Sequence, residues 1–247
     1  MKYDSVLKGF RPCRSLAWRL EMKILCLVLA MFFCSISLPG QQPGMQMKMP
    51  EPNPVQILAG LGTWHRATST RNPEAQAFFD QGLRMTHGFN HEEAVRSFKR
   101  AAELDPQMAM AWWGVAYALG PNINLDVDPD REKSAYEAVQ KAQALATNAP
   151  ANERDYIVAL AKRYSNDPNA DLKKLAVDYS RAMNDLMKKY PDDLDAATLY
   201  AESMMDLHPW QLWGAEGKPN EGTEEIVAVL ESVLKRNPDH PGAIHYY

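Results

Sequence analysis

The apolar positions of this chain recur at helical spacing over most of residues 58–247. Ile226, Val229, Leu230, Val233 and Leu234, for example, fall on one face when they are placed at 3.6 residues per turn. Runs in which β-branched residues alternate with polar ones are few, so strands are not expected. The pattern predicts an all-α domain over residues 58–247.

A repeated unit is clearest between residues 74 and 107. Six positions there share the spacing of a known repeat: Phe78, Gly82, Ala94, Phe98, Ala101 and Pro106. The spacing resembles that of the tetratricopeptide repeat, a helix–turn–helix of about 34 residues, although Gln81 and Met85 depart from its usual leucine and tyrosine. The resemblance implies a helical solenoid in which Gly82 and Ala94 let two helices approach and Phe98 fills the gap between them.

Later units are longer and contain inserted loops. A second unit begins with the helix MAMAWWGVAYALG, and its partner helix is expected over residues 131–146, with Asp130 as N-cap, after the inserted loop PNINLDVDPD. Pro150, Pro191 and Pro238 each follow a further helical stretch, because proline cannot continue a helix. A helix over residues 194–207 precedes a second inserted loop, HPWQLWGAEGKPNEGT, and then the helix EEIVAVLESVLKRN.

The last unit is expected to be incomplete, because Pro241 begins a final helix for which no partner helix follows. An unpaired helix would leave an apolar face exposed at the end of a solenoid, so the chain is expected to be a fragment of a longer protein. Residues 60–124 also resemble a group of uncharacterised secreted bacterial tetratricopeptide proteins.

The N-terminal segment, residues 1–40, has the pattern of an export signal. Residues 24–38 form an uncharged run that follows Arg19 and Lys23 and precedes Pro39 and Gly40. A run of 15 residues is short for a membrane span, which needs about 20, and a cleaved signal peptide is therefore favoured. Lipidation at Cys34 and an uncleaved anchor are the alternatives. A Pro/Met-rich linker, residues 41–57, follows, and the mature protein is expected to be periplasmic or secreted and to contain no membrane span.

Composition and charge exclude some functions. The chain has 247 residues and a net charge of −4, so its overall charge does not attract it to nucleic acid. Its three cysteines, Cys13, Cys26 and Cys34, all lie in the first segment. Disulfides and thiolate chemistry are therefore not expected in the helical domain.

The resemblance implies a binding groove on the inner wall of the solenoid. Its lining positions map onto Gln76, Phe79, Leu83, Thr86, Met110, Trp113, Tyr117, Asp195, Thr198, Glu202 and Met205. A groove rich in aromatic side chains suits an extended or helical peptide of a protein partner in the cell envelope. The alternative is that Phe79 and Trp113 pack on a preceding helix in a tightly wound solenoid.

A metal-binding protein is the rival hypothesis. Met45, Met47 and Met49 alternate along the linker, and thioethers select Cu(I). His87 and His91 have the i, i+4 spacing of metal ligands, and His208, His240 and His245 are further candidates for copper or zinc. The alternatives are a mobile spacer that contains methionine and histidines that only form hydrogen bonds.

Catalytic motifs are missing from the sequence: there is no GxSxG, HExxH or phosphate-binding loop. The sequence therefore predicts an exported, non-enzymatic binding scaffold without a required cofactor. An enzyme whose site lies in the inserted loops is a third hypothesis, and it directs attention to residues 121–124 and 208–210.

Overall fold

The computed structural model describes residues 54–126 and 128–247. These residues form nine α-helices and, in the described ranges, no β-strand. The helices are α1 (Pro73–His87), α2 (His91–Leu104), α3 (Ala109–Leu119), α4 (Pro129–Leu145), α5 (Ala151–Ala161), α6 (Leu172–Lys189), α7 (Leu194–Met205), α8 (Thr223–Arg236) and α9 (Pro241–Tyr246). The predicted all-α fold is confirmed.

The helices follow one another in two layers. Each helix packs against the next in sequence, and α1 with α3, α3 with α5, and α7 with α9 also pack together. The odd-numbered helices therefore form an inner layer, and the even-numbered helices cover it from outside. This is the arrangement expected of stacked helix–turn–helix units.

Close packing around Phe98 holds the first three helices together. The Phe98 side chain, on α2, is fully buried between Gly82 of α1 and Gly114 of α3. A Cβ atom added at Gly82 would lie 2.6 Å from the Phe98 ring, and one added at Gly114 would clash with the same ring. The predicted role of Gly82 is confirmed, whereas Gly114 was not anticipated, because the repeat register places Val115 and Ala116 at the contact positions.

Some predicted helix limits need correction. Helix α4 begins at Pro129, and its N-cap is Asp128 and not Asp130: the Asp128 carboxylate accepts hydrogen bonds from the backbone N–H groups of Asp130 and Arg131. Proline favours the first helical position, which fixes the start here. Helix α7 ends two residues before the predicted limit, at Met205.

The inner layer closes on itself within these nine helices. Helix α9 packs against α1, and a Cβ atom at Gly242 of α9 would lie 2.8 Å from the His87 ring of α1. Only a residue without a side chain permits this approach. The space enclosed by the inner helices is consequently small.

An extended segment, residues 54–72, precedes α1, and we call it the strap. It contains no helix or strand, and it belongs to the same compact unit as the helices, which begins at Pro54. Exposed and half-buried residues alternate from residue 63 to residue 72. This period of two is typical of an extended chain with one face on a surface.

The predictions for the N-terminal signal segment, and for most of the linker, lie outside the described residues. Among the helices that are described, none combines the length and the apolar character that crossing a membrane requires.

Candidate functional site

The residues predicted to line a peptide groove are buried and do not form an open surface. Ten of the eleven predicted lining positions are no more than 8% exposed: Phe79, Leu83, Thr86, Met110, Trp113, Tyr117, Asp195, Thr198, Glu202 and Met205. The Trp113 ring stacks on Tyr117 at 5.4 Å and contacts Tyr156 of α5 edge-on at 5.7 Å. The expected binding groove is thus corrected, because Phe79, Leu83, Met110, Trp113 and Tyr117 belong to one packed core, as the alternative of a tightly wound solenoid predicts.

The strap covers another part of the inner face. Its backbone N–H groups at Arg66 and Thr68 donate hydrogen bonds to the Asp80 carboxylate and to the Gln76 side-chain carbonyl. Farther along, the Ser69 backbone N–H and hydroxyl both donate to the Glu153 carboxylate of α5. Gln76 was predicted to line the inner wall, and the structure shows that it contacts a segment of the chain itself.

Arg66 inserts its guanidinium group between α5 and α7. It donates two hydrogen bonds to Asp193, at 3.0 and 3.1 Å, and one to Asp195, at 2.7 Å. The guanidinium carbon lies 4.2 Å from the centre of the Tyr156 ring, which is cation–π geometry. Burial alone would raise the pKa of Asp195, but Arg66 and His240 lower it to about 2.

The histidines of the metal hypothesis do not form a set of metal ligands, although His87, His240 and His245 lie near one another where α9 packs on α1. His87 ends α1 and His91 begins α2, so the turn at Gly88–Asn90 removes the shared helical face that their spacing suggested. The rings of His87 and His240 are 6.1 Å apart, His245 packs on Phe89, and His208 lies in the second inserted loop. Burial lowers the pKa of His87 to about 4, which favours the neutral ring.

Within the described ranges, no three His, Cys, Asp or Glu side chains are placed to hold a metal ion. Met45, Met47 and Met49 lie outside these ranges, so copper binding by the linker stays a prediction.

An open cleft lies where the two inserted loops meet. It encloses about 960 Å³ between residues 121–126 of the first loop, residues 206–211 at the start of the second, and one side of α6. Leu172, Ala176 and Val177 give the α6 wall its apolar part, and Lys173 adds a charge. The residues singled out for the third hypothesis, 121–124 and 208–210, are therefore brought together.

A buried charge cluster forms the floor of the cleft. The Arg163 side chain is 3% exposed; it donates hydrogen bonds to the carbonyl of Pro121 at 2.7 Å and to Asp206 at 2.5 Å. The Arg163 guanidinium also lies 4.9 Å from the centre of the Tyr179 ring. Arg163 thus ties the first inserted loop to the end of α7.

The pKa values of the acids at this floor and next to it are raised, which favours the neutral forms of these acids. Burial and the neighbouring Asp206 raise the pKa of Glu202 well above its ordinary value. Burial also raises the pKa of Asp206, against the opposing effect of Arg163. Burial raises the pKa of Glu132, at the edge of the same cleft. Two neighbouring buried carboxyl groups cannot both carry a charge at low cost, and this raises the pKa of Glu202 further than burial alone would.

Trp210 stands at the rim of the cleft with 77% of its surface exposed. Its φ of 61° lies in the left-handed region, which is strained for a residue with a bulky side chain. Trp213, in the same loop, is 56% exposed. Large aromatic side chains held in this way are typical of binding surfaces.

Two residues of these clusters were not foreseen in the sequence, Arg66 and Arg163. Neither lies in a motif, and their partners are far away: Asp193 is 127 residues from Arg66, and Asp206 is 43 residues from Arg163. The residues on either side of each arginine give no distinct signal. Only the three-dimensional closure of the repeats brings these groups together.

Comparisons with known proteins give no assignment: no family model, no curated protein and no solved structure matches this chain.

Proposed function

We propose that this protein is an exported, non-enzymatic binding scaffold of tetratricopeptide-like repeats, which holds a segment of a protein partner in the cell envelope. The observation that carries the proposal is the cleft between the two inserted loops. Stacked helix–turn–helix units do not require either loop for their packing, and yet both loops contribute to the same opening. Loops carried by a rigid scaffold are common positions for binding residues.

The chemistry of the cleft suits a peptide segment. Its α6 wall offers an apolar surface at Leu172 and Val177, and the exposed Asn124 of the first loop offers an amide group. Trp210 supplies a large aromatic contact at the rim. A volume of about 960 Å³ is at the upper end of the usual range for ligand pockets, and it accommodates several residues of a peptide.

Photo-crosslinking in cells tests this proposal. Trp210 is replaced by benzoylphenylalanine in the full chain, and a second variant carries the same group at Val158, which is exposed on α5 and does not line the cleft. We expect a discrete light-dependent adduct with an envelope protein from position 210 and none from position 158. Adding Leu172→Asp, which places a charge on the apolar wall, should reduce the adduct.

The same adducts from both positions, or no adduct from position 210, would overturn the cleft as the binding site. Export is tested separately by fractionating the cells and sequencing the N-terminus of the mature chain. A start near residue 38 is expected, whereas a start at Met1 or Met22 would contradict a cleaved signal.

A further inference from the structure

The strap is held in the way that a binding protein holds an extended peptide. Side chains of α1 donate hydrogen bonds to the backbone of the strap. Arg84 donates to the carbonyl of Trp64, and Gln76 donates to the carbonyl of Arg66. Backbone N–H groups of the strap donate in turn to Asp80, Gln76 and Glu153. Hydrogen bonds to an extended backbone give affinity in peptide recognition, and pockets for alternate side chains give specificity.

The alternate side chains of the strap fit such pockets. Trp64, Arg66, Thr68 and Thr70 are half-buried, and the residues between them are exposed. The Thr68 hydroxyl donates to Gln76, and the Thr70 hydroxyl donates to Asp105 at the end of α2. Arg66 enters the deepest pocket, where Asp193, Asp195 and Tyr156 surround a side chain that is only 10% exposed.

Polar contacts dominate this interaction. No residue from 54 to 72 reaches the burial of the helix cores. The half-buried apolar residues Val55 and Leu61 lie ahead of the part held by Arg66, and within that part the half-buried Trp64 ring makes an apolar contact by packing on His240 at 4.3 Å. A segment held mainly by ion pairs and hydrogen bonds can leave its site without disrupting an apolar core. Such low-stability segments open before the rest of a protein unfolds.

We propose that the face formed by α1, α5 and the start of α7 is a binding site for extended peptides that carry an arginine followed by hydroxyl residues, and that the strap occupies this site within its own chain. The partner is an extended segment of another protein with the same pattern. It binds when the strap leaves, with its arginine between Asp193 and Asp195. This site is distinct from the loop cleft and does not depend on it.

A peptide with the strap sequence tests the proposal. The probe is a fluorescently labelled synthetic peptide of residues 60–72, GLGTWHRATSTRN, added to the full chain as wild type, Arg66→Ala and Arg71→Ala. Arg71 is an exposed arginine of the same strap and serves as the matched control. We expect the Arg66→Ala protein to bind the peptide at least about tenfold more tightly than the wild type or Arg71→Ala, because its own strap competes less well.

The peptide's own arginine, at the position of Arg66, must also matter. Replacing it with alanine should weaken binding at least about tenfold, since it forms the charge-assisted bonds of the deepest pocket. The proposal would be overturned if the Arg66→Ala and Arg71→Ala proteins bound the peptide equally well. It would also be overturned if the peptides with and without this arginine bound equally well.

Hydrogen exchange of the unmodified protein decides the matter if Arg66→Ala does not fold. We expect the backbone amides of Arg66, Thr68 and Ser69 to exchange at least about tenfold faster than those of the α1 core, because the strap opens on its own. Exchange of strap and α1 amides at one common rate would show that the strap leaves only when the whole molecule unfolds, and would overturn the proposal.

Discussion

Two buried arginines of this protein lie in similar surroundings, but the pKa values of buried acids beside them are shifted in opposite directions. Arg66, in the strap, lies over the ring of Tyr156 and pairs with Asp193 and Asp195. At the floor of the cleft, Arg163 lies over Tyr179 and pairs with Asp206, which has Glu202 as its neighbour. Each arginine thus has one tyrosine and two carboxyl groups near it.

The ionisation of the acids separates the two clusters. Arg66 directs three hydrogen bonds to its two carboxylates, and His240 adds an interaction with Asp195, whose pKa falls to about 2 despite burial. Arg163 gives one of its bonds to the carbonyl of Pro121 and reaches Asp206 with another, while burial raises the pKa of both Asp206 and Glu202. Asp195 and Asp206 each accept one hydrogen bond from an arginine, and yet their pKa values move in opposite directions. A nearby arginine alone therefore does not fix the direction in which the pKa of a buried acid moves.

Breaking the first cluster should have the largest effect. Arg66→Ala would leave two carboxylates without their cation, and we expect the free energy of unfolding to fall by about 3–5 kcal/mol. Urea denaturation followed by circular dichroism measures this loss. Arg71→Ala, at an exposed position of the strap, should change it by less than about 0.5 kcal/mol.

Replacing Arg163 should lower the free energy of unfolding by less than replacing Arg66 does. In Arg163→Met the apolar part of the side chain is largely kept, and the acids that remain can take up protons because burial already raises their pKa. We expect a loss of about 1–3 kcal/mol near neutral pH and a smaller loss in mild acid. A cost equal to that of Arg66→Ala, with no dependence on pH, would contradict the difference between the clusters.

Acid should weaken the Arg66 cluster in a defined range. The pKa of Asp195 in the folded protein is about 2, below its ordinary value of 3.8, so its contribution is present above the ordinary value and is lost as the pH falls toward 2. The shift corresponds to about 2 kcal/mol. Unfolding measured across this acidic range should show the slope in the wild type, and Asp195→Asn should remove it.

A rise in pH above the ordinary pKa of Glu202 should weaken the cleft floor, and we expect this to be the smallest effect of the four. Glu202 has a raised pKa in the folded state, so its contribution is present below its ordinary value of 4.5 and is lost as the pH rises through the folded value. Glu202→Gln keeps a neutral side chain at every pH and should flatten the fall of stability as the pH rises above 4.5. Glu224→Gln, at an exposed position on α8, should leave the wild-type slope unchanged.

Local patterns were sufficient to predict the helices of the fold. The helical spacing around α8 and the phase of the repeat around Gly82 and Phe98 depend on neighbours within one or two helices. Such interactions leave a periodic trace in the sequence, because the same face must stay apolar along each helix. The starts of α7 at Leu194 and of α9 at Pro241 were predicted for the same reason.

The candidate sites are formed by residues that are far apart in sequence, and they were harder to predict from the sequence than the helices. Asp195 was placed on the inner wall by the repeat register, but its partner Arg66 lies in an extended segment with no helical period. The inserted loops were recognised, and their meeting in one cleft was not, because the length of a loop does not determine its direction. Glu202 likewise lies beside Tyr246 of α9, a residue far from it in sequence. The burial of Trp113 was among the alternatives that the sequence left open, and its contact with Tyr156 of α5 decides between them.

That contact between the last and first helices also bears on how the chain folds. In an open solenoid each unit touches only its neighbours, so the ends can fray and the array can unravel stepwise. Here α1 is held by α9 at the other end of the series, so neither end of the described helices is free to unravel first. Most of the stabilising contacts at the junction become available only after a long loop has closed, which slows folding and makes it more nearly all-or-none than in an open array of the same helices.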